Sequence, residues 1–158
     1  VRHRDDCSRE VFEEPFQPED MDNYAALRDT IGVPVAAGEN EFGLQGFAEL
    51  VRCKAVDIVQ PNCCYNGGYT ETVKVAHMAQ AFNLPIANGG GWPLFNMHTM
   101  AGLMNGWRVE FHLDMQALGE QMFINPPRPE NNVVKIPAAP GLGLTLNKDA
   151  LRDGLVKE

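Results

Sequence analysis

Hydrophobic and polar residues along this chain follow two alternating patterns. Short apolar runs, typical of buried strands, are each followed by a polar loop and then by apolar residues spaced three and four apart, typical of a helix. The predicted strands cover residues 10–13, 33–38, 56–60, 84–87 and 108–111. The predicted helices cover residues 21–30, 44–53, 69–82 and 96–105.

Strict alternation of strands and helices predicts an α/β fold. Right-handed crossovers would place the strands in a parallel sheet, which forms either a barrel or a doubly wound sheet. After Phe111 the repeating pattern stops, and the following segment is rich in proline and glycine. We therefore predict that residues 112–158 form an extended tail wrapped over the body, with a short helix at residues 147–156.

Length and charge limit the classes of protein that fit. The chain has 158 residues, which predicts one domain, 1–158, shorter than the roughly 250 residues of a complete (β/α)8 barrel. A net charge of −8 argues against a nucleic-acid partner, which requires clustered Lys and Arg. No apolar run approaches the roughly 18 residues that span a bilayer, and "VRHRDDCSRE" at the start lacks the apolar segment of a signal peptide. We expect no membrane association and a cytoplasmic location.

The four cysteines, Cys7, Cys53, Cys63 and Cys64, show no CxxC spacing. A vicinal pair such as Cys63 and Cys64 rarely forms a disulfide without strain. The sequence therefore predicts reduced thiols and supports neither a zinc site nor a redox role.

Carboxylates occur at the ends of two successive predicted strands. Glu13 ends the first strand and Glu39 follows the second, 26 residues later, so both should lie at the same edge of a parallel sheet. Two such acids repel each other unless a cation lies between them, and oxygen ligands suit Mg²⁺ or Mn²⁺. The alternative is that Glu13 and Glu14 form ion pairs with Arg or Lys at the rim.

Four motifs occur in an informative order: "FEEP", "GEN", "DIVQPN" with a downstream "GG", and "APGLGL". Together they resemble the second half of the barrel domain in the enolase superfamily, in its mandelate racemase and muconate lactonizing enzyme branch. The resemblance implies a (β/α)8 TIM-barrel type of fold, present here as its C-terminal part without the early strands and the capping domain. Because such a part has open edges, we expect association into a homo-oligomer.

The resemblance also implies an activity: a Mg²⁺-dependent lyase that abstracts the proton α to a carboxylate and dehydrates an acid sugar or hydroxy acid. Its substrate would be a small carboxylate. Glu13 and Glu39 map on two metal ligands, with Mn²⁺ as an alternative to Mg²⁺, while the third ligand and a catalytic Lys are expected on strands before Glu13. A racemase, epimerase or cycloisomerase is the alternative enzyme, and a truncated non-catalytic barrel that binds an anion or a metal is the alternative of another class.

On the later strands the chain departs from the family pattern. Asn62 stands where many mandelate-racemase-like members have an Asp, and Gly89 stands where they have a His, so their His–Asp dyad is missing. A base confined to the absent early strands would favour dehydration over two-base racemisation. Three side chains remain as catalytic candidates: Asn62, Glu110 and His98. Glu110 would hydrogen-bond a substrate oxygen or, alternatively, pair with Arg108, and His98 would replace the acid or base or, alternatively, pack on a helix face.

The segment "NGGGWP" is a candidate substrate loop. Amides of Gly89 and Gly90 could bind an anion, with Asn88 beside them and Trp92 as a pocket wall. The alternative is a flexible loop that fills the space of the missing His. Asn40, beside Glu39, is predicted to support the metal site by hydrogen bonding.

Overall fold

The structure, a computed structural model, describes residues 11–154. The body of the structure contains four helices, and a fifth lies at the start of the C-terminal region: α1 (Met21–Ile31), α2 (Gly43–Arg52), α3 (Gly68–Ala81), α4 (Pro93–Gly102) and α5 (Leu113–Met122). The strands are β1 (Phe12–Glu13), β2 (Val35–Ala37), β3 (Ile58–Val59), β4 (Phe123–Ile124) and β5 (Thr145–Leu146), and a short α6 covers Lys148–Asp153. In this part of the chain no helix combines the length and the hydrophobicity needed to cross a membrane.

The first three strands form a parallel sheet in the order β1-β2-β3, which confirms the α/β prediction. Glu13 lies opposite Ala36, and Ala36 lies opposite Ile58. Single parallel bridges extend the sheet from Val59 to Ile86 and from Ile86 to Gly106. Within residues 11–154 the sheet runs from β1 to this last bridge, so the structure shows a part of a barrel-like sheet and not a complete barrel.

The strand predicted at residues 108–111 is wrong in position. The chain joins the sheet earlier, where the Trp107 amide donates to the Ile86 carbonyl at 2.8 Å. Gly106 makes this approach possible, because a side chain there would collide with the Met100 carbonyl. The Glu110 amide donates instead to the side-chain oxygen of Asn88 at 3.0 Å, so a side chain takes the place of a neighbouring strand.

Alternating residues on each strand pack on opposite faces of the sheet. Val11, Ala36, Ile58 and Ala87 form one apolar cluster, whereas the residues between them pack against the helices, with Phe47 and Leu50 in the centre. Because the side-chain period of a strand is two, the next level beyond the first cluster contains Glu13, Gln60 and Gly89. Polar side chains therefore begin one residue level beyond this apolar cluster, toward the carboxyl ends of the strands.

The four predicted helices of the body are present, with ends displaced by at most three residues. Helix α1 ends at Gly32, whose φ of 68° is the left-handed conformation that terminates many helices. Helix α4 starts at Pro93 and not at Asn96, since proline is favoured in the first turn. Part of the predicted glycine loop is thus the first turn of a helix.

The prediction of an extended tail from residue 112 is wrong in its first part, because α5 covers Leu113–Met122. The buried positions of α5 are Gln116 and Gly119, while Leu113 is 82% exposed, so the segment lacks an apolar stripe. Beyond α5, strands β4 and β5 form an antiparallel pair. Helix α6 falls inside the predicted 147–156 helix and is capped by the Asn147 side chain, which accepts from the Ala150 amide at 3.3 Å.

Candidate functional site

Four carboxylates lie near the carboxyl edge of the sheet, with Glu39 close enough to feel the charges of the other three: Glu13, Glu14, Glu39 and Glu110, hereafter the carboxylate cluster. Burial raises the pKa of Glu39, and the negative charges of Glu14, Glu110 and Glu13 raise it further. The parallel pairing of β1 with β2 brings Glu13 and Glu39 to one edge, as the sequence predicted. The cluster therefore concentrates negative charge in a half-buried place.

Glu14, a member of this cluster, forms a hydrogen bond with Asn40. Glu14 has a φ of 40°, and its carboxylate accepts from the Asn40 side-chain amide at 3.0 Å. Burial raises the pKa of Glu14, although the Gly38 amide and Asn40 act in the opposite direction. Asn40 thus hydrogen-bonds to Glu14 and not to a predicted metal ligand, and its support of a metal site stays a prediction.

Positive side chains do not balance this charge in the described part of the chain. Between residues 11 and 154, no ion pair includes Glu13, Glu14 or Glu39. Among the Arg and Lys residues between 11 and 154, Glu13 and Glu14 therefore do not form the alternative rim pairs. The cluster has the electrostatic character of a cation site.

The donor set fits a hard divalent cation only in part. Within residues 11–154, no three His, Cys, Asp or Glu side chains come together in a group that could hold a metal ion. Glu13 and Glu39 offer two carboxylates to such an ion. Carboxylate oxygens are the ligands that Mg²⁺ prefers, so the two residues fit that ion chemically.

Glycine amides hold two members of the carboxylate cluster. The Gly91 amide donates to Glu110 Oε2 at 2.8 Å, and the Gly90 amide faces the Glu39 carboxylate. Both glycines have left-handed φ values, 69° and 73°, which point successive amides toward the cluster. Of the two amides predicted to bind a substrate anion, that of Gly90 faces a carboxylate of the protein itself, and the role of Gly89 in a substrate loop stays a prediction.

Asn62 is a fully engaged structural group. Its side chain, 1% exposed, donates to the carbonyls of Gly89 at 2.6 Å and Gly91 at 3.3 Å. Its oxygen accepts from the Asn96 side chain at 2.9 Å and from the Cys64 amide at 3.0 Å. A carboxamide has two donors and two lone pairs. Asn62 thus has no group left for a substrate, and the structure gives it a positioning role in place of the predicted catalytic one.

Two further buried asparagines complete this network. Asn88, Asn96 and Asn62 all donate to the Gly91 carbonyl, at 3.0, 3.1 and 3.3 Å respectively. Asn88 was predicted in the substrate loop, yet it is 1% exposed and bonded to the protein. The sequence did not single out Asn96, whose only signal is an amide in an apolar helix.

Trp92 and Tyr65 form the exposed side of the loop. The indole N–H of Trp92 donates to the Tyr65 hydroxyl at 2.8 Å, and its ring packs edge-on against Phe95 with centroids 6.0 Å apart. A side chain at Gly90 would approach the Tyr65 ring to 3.0 Å. Trp92 as a pocket wall stays a prediction, and its hydrogen-bond partner Tyr65 is a residue that the sequence did not indicate.

His98 lies elsewhere, so its predicted catalytic role is not supported by the structure. It lines a cavity of about 430 Å³ with Tyr69, Val73, Leu103 and Leu142, between α3, α4 and the C-terminal region. No member of the carboxylate cluster lines this cavity. Among residues 11–154, the buried Nε2 of His98 has no hydrogen-bond partner.

Comparison with known proteins gives a consistent assignment. The family model "Enolase C-terminal domain-like" matches residues 2–150. Arabinonate dehydratase of Saccharolobus solfataricus is 34% identical over 93% of this chain and 39% of its own length. D-galactarolactone cycloisomerase of Agrobacterium fabrum is 33% identical over 90% of this chain and 41% of its own length.

Solved structures agree with this match. L-talarate dehydratase from Polaromonas sp. JS666, complexed with Mg and L-glucarate, superposes with a TM-score of 0.81 at 26% identity, over 90% of this chain and 38% of that one. A Bradyrhizobium enolase complexed with magnesium and mandelic acid gives 0.81 at 28% identity, over 94% and 39%. The chain thus spans about two fifths of the relatives it matches. It belongs to the enolase superfamily, in the family described as enolase C-terminal domain-like, which includes mandelate racemase-like enzymes.

Proposed function

We propose that this chain is the C-terminal part of the (β/α)8 barrel of a Mg²⁺-dependent lyase that dehydrates an acid sugar or hydroxy acid. The observation that carries the proposal is the carboxylate cluster, in which three partly buried acids and the exposed Glu13 lie near one another at the sheet edge, with no ion-pair partner for Glu13, Glu14 or Glu39 among residues 11–154. The named relatives include three further sugar-acid dehydratases besides the arabinonate enzyme. Parallel α/β folds carry their chemistry at this edge.

Glu13 and Glu39 would hold the cation, with Mg²⁺ preferred and Mn²⁺ as the alternative. A divalent cation there would stabilise the negative charge that develops on a substrate carboxylate when its α-proton is removed. Several solved relatives contain magnesium. That chemistry explains why the fold tolerates repulsion within the cluster.

The chain's own residues would orient the reacting groups. The Gly91 amide holds Glu110 through Oε2, which leaves Oε1 without a donor among the described residues and open to a substrate hydroxyl. The Asn62, Asn88 and Asn96 network fixes the glycine loop that carries this amide. Rigid support of this kind keeps a carboxylate near its productive geometry.

Proton abstraction would come from a base on another part of the protein. Gly89 and Asn62 leave no His–Asp dyad at the expected positions, and Asn62 is saturated by protein contacts. A base on one face of the substrate favours elimination over racemisation. Exchange of the substrate α-proton from both faces in D₂O would contradict this one-sided chemistry.

A cycloisomerase is the second candidate, favoured by the D-galactarolactone relative. A racemase or epimerase is a weaker alternative, and a non-catalytic barrel that binds an anion or metal is the alternative of another class. A small carboxylate substrate, assembly as a homo-oligomer and a cytoplasmic location belong to the same proposal.

The decisive experiment uses the protein that carries this chain, with a panel of sugar acids, with and without Mg²⁺. Dehydration gives a 2-oxo-3-deoxy acid, which a carbonyl reagent detects. Glu39→Gln should abolish turnover, whereas Glu130→Gln, which changes an exposed acid in a different region, should not. Turnover that survives both chelation of Mg²⁺ and the Glu39→Gln change would refute the metal-dependent mechanism.

A further inference from the structure

Gln60 occupies an unusual place directly after β3. It lies two residues beyond Ile58, and strand alternation therefore directs it to the same side as the apolar cluster of Val11, Ala36, Ile58 and Ala87. Only 6% of the residue is exposed. The strand between Gln60 and Glu13 has Gly38 at this level, so no side chain separates them.

Half of the Gln60 amide is used. Its Nε2 donates to Glu13 Oε1 at 2.5 Å, which connects residues 47 positions apart in the chain. Among the described residues, none donates a hydrogen bond to the other Glu13 oxygen, Oε2. A hydrogen bond on one oxygen restricts rotation of the carboxylate and so fixes the direction in which the second oxygen can bind.

The other half of the amide lacks a partner. Gln60 Oε1 is buried and accepts no hydrogen bond from residues 11–154. A buried acceptor without a donor is costly, and such groups call for a bound molecule or an absent partner. Glu13, which the same amide contacts, carries only acceptors when ionised, so it supplies no donor.

We propose that Gln60 is a positioning residue for the cation site: its N–H fixes Glu13, and its carbonyl oxygen accepts from a water molecule bound to the cation. The inference rests on the proposed function for the cation and on the hydrogen bond to Glu13 for the orientation. Mg²⁺ usually keeps several water ligands, which donate strongly because the ion polarises them. A single amide can therefore connect a metal ligand with the water shell of the same ion.

Gln116 provides a matched comparison within the chain. It is also buried, its Nε2 donates to the Glu120 carboxylate at 3.0 Å, and its Oε1 also lacks a partner in the described part. It lies on α5, and Glu120 lies outside the carboxylate cluster. Replacing Gln116 therefore removes the same kind of glutamine–glutamate contact without changing the candidate site.

The first measurement needs no metal. In NMR spectra of the wild-type chain, the Gln60 side-chain N–H protons should exchange with solvent at least about tenfold more slowly than exposed glutamine amides, because they are buried and bonded. Glu13→Ala should remove this protection and leave the Gln116 amide unchanged. Equal protection in wild type and Glu13→Ala would overturn the positioning of Glu13.

The second measurement is Mn²⁺ binding by electron paramagnetic resonance, with wild type, Gln60→Leu, Gln116→Leu and Glu39→Gln. Loss of an outer-shell partner typically weakens metal affinity about 10- to 100-fold. Gln60→Leu should fall in that range, Gln116→Leu should match wild type, and circular dichroism should show both leucine variants folded.

The outcomes separate the two proposals. If wild type binds Mn²⁺ and Glu39→Gln does not, while Gln60→Leu binds as wild type does, the role of Gln60 is refuted and the metal site stands. If the wild-type protein that carries this chain binds no Mn²⁺, the proposed metal-dependent function fails together with the bound water. Equal weakening by Gln60→Leu and Gln116→Leu would assign the effect to general loosening of the fold and overturn the inference.

Discussion

Replacement of Gly89 by alanine tests the packing of the candidate site with one methyl group. Gly89 is buried, and its φ lies outside the left-handed region, so alanine can adopt the same backbone. The new Cβ would lie 3.0 Å from both Cβ and Oε2 of Glu39, and 3.4 Å from Cβ of Gln60. The added methyl group would therefore crowd Glu39, and either Glu39 or the glycine loop must shift to make room for it.

The expected cost follows from those distances. Carbon atoms pack best at about 3.5–4.0 Å, so contacts at 3.0 Å require Glu39 or the loop to shift by several tenths of an ångström. Overpacking of this kind costs about 1–3 kcal/mol, or roughly 2–12 °C in the midpoint of thermal unfolding for a chain of this size. Displacement of Glu39 should also weaken Mn²⁺ binding.

Urea unfolding and Mn²⁺ titration of the same preparations measure both effects. Gly102→Ala is the control, because Gly102 is exposed at the end of α4 and a Cβ there meets no atom within 4 Å. Its stability should be unchanged or higher by up to about 1 kcal/mol, the usual effect of replacing a helical glycine. Wild-type stability together with wild-type Mn²⁺ affinity in Gly89→Ala would refute the close contact with Glu39.

Three further predictions address charge and thiol chemistry. Asn62→Asp should lower the free energy of unfolding at pH 7 by about 2–4 kcal/mol in urea denaturation, because a carboxylate would face two carbonyl oxygens. The exposed Asn131→Asp should change it by less than about 0.5 kcal/mol, and equal values for both variants would contradict the network. Burial and like charges raise the pKa of Glu39 above its ordinary value of 4.5, so the folded state holds this proton more tightly than the unfolded state. In metal-free buffer, wild-type stability relative to Glu39→Gln should therefore fall as the pH rises from about 4.5, and a constant difference in unfolding free energy would show that Glu39 carries no such strain. The hydrogen bond from the Cys63 thiol lowers the pKa of the exposed Cys64. Iodoacetamide should therefore alkylate Cys64 at least about tenfold faster than the buried Cys63, as followed by mass spectrometry, and equal rates for the two thiols would contradict this prediction.

The elements of the body were predictable because their signal is local. Short apolar runs such as Val35–Ala37 and amphipathic helices such as α2 depend on residue spacing, which the sequence displays directly. Helix α5 was not predictable in this way, since its buried positions are Gln116 and Gly119. Tertiary contacts, and not an apolar stripe, hold that helix in place.

The candidate site was predictable as far as strand ends determine it. Glu13 and Glu39 follow neighbouring parallel strands, which is enough to bring them to one edge. The partners of Asn62 could not be predicted, because an amide in a sequence does not show which carbonyls it will meet. The sequence leaves Gly89 as part of a substrate loop or of a flexible loop in the space of a missing His, and neither interpretation predicts that a Cβ there would lie 3.0 Å from Glu39.

The Gly91 carbonyl accepts hydrogen bonds from three asparagine side chains. In protein engineering, this shared acceptor determines the smallest set of residues that could be replaced together. Installing a histidine at position 89 alone would drive a large ring into Glu39, and installing an aspartate at position 62 alone would remove two donors. Each of these substitutions alone would disrupt the site, so a His–Asp pair cannot be introduced one residue at a time. A graft that restores a His–Asp pair would have to transfer residues 62 and 88–96 as one cassette, with its anchor on α4 included.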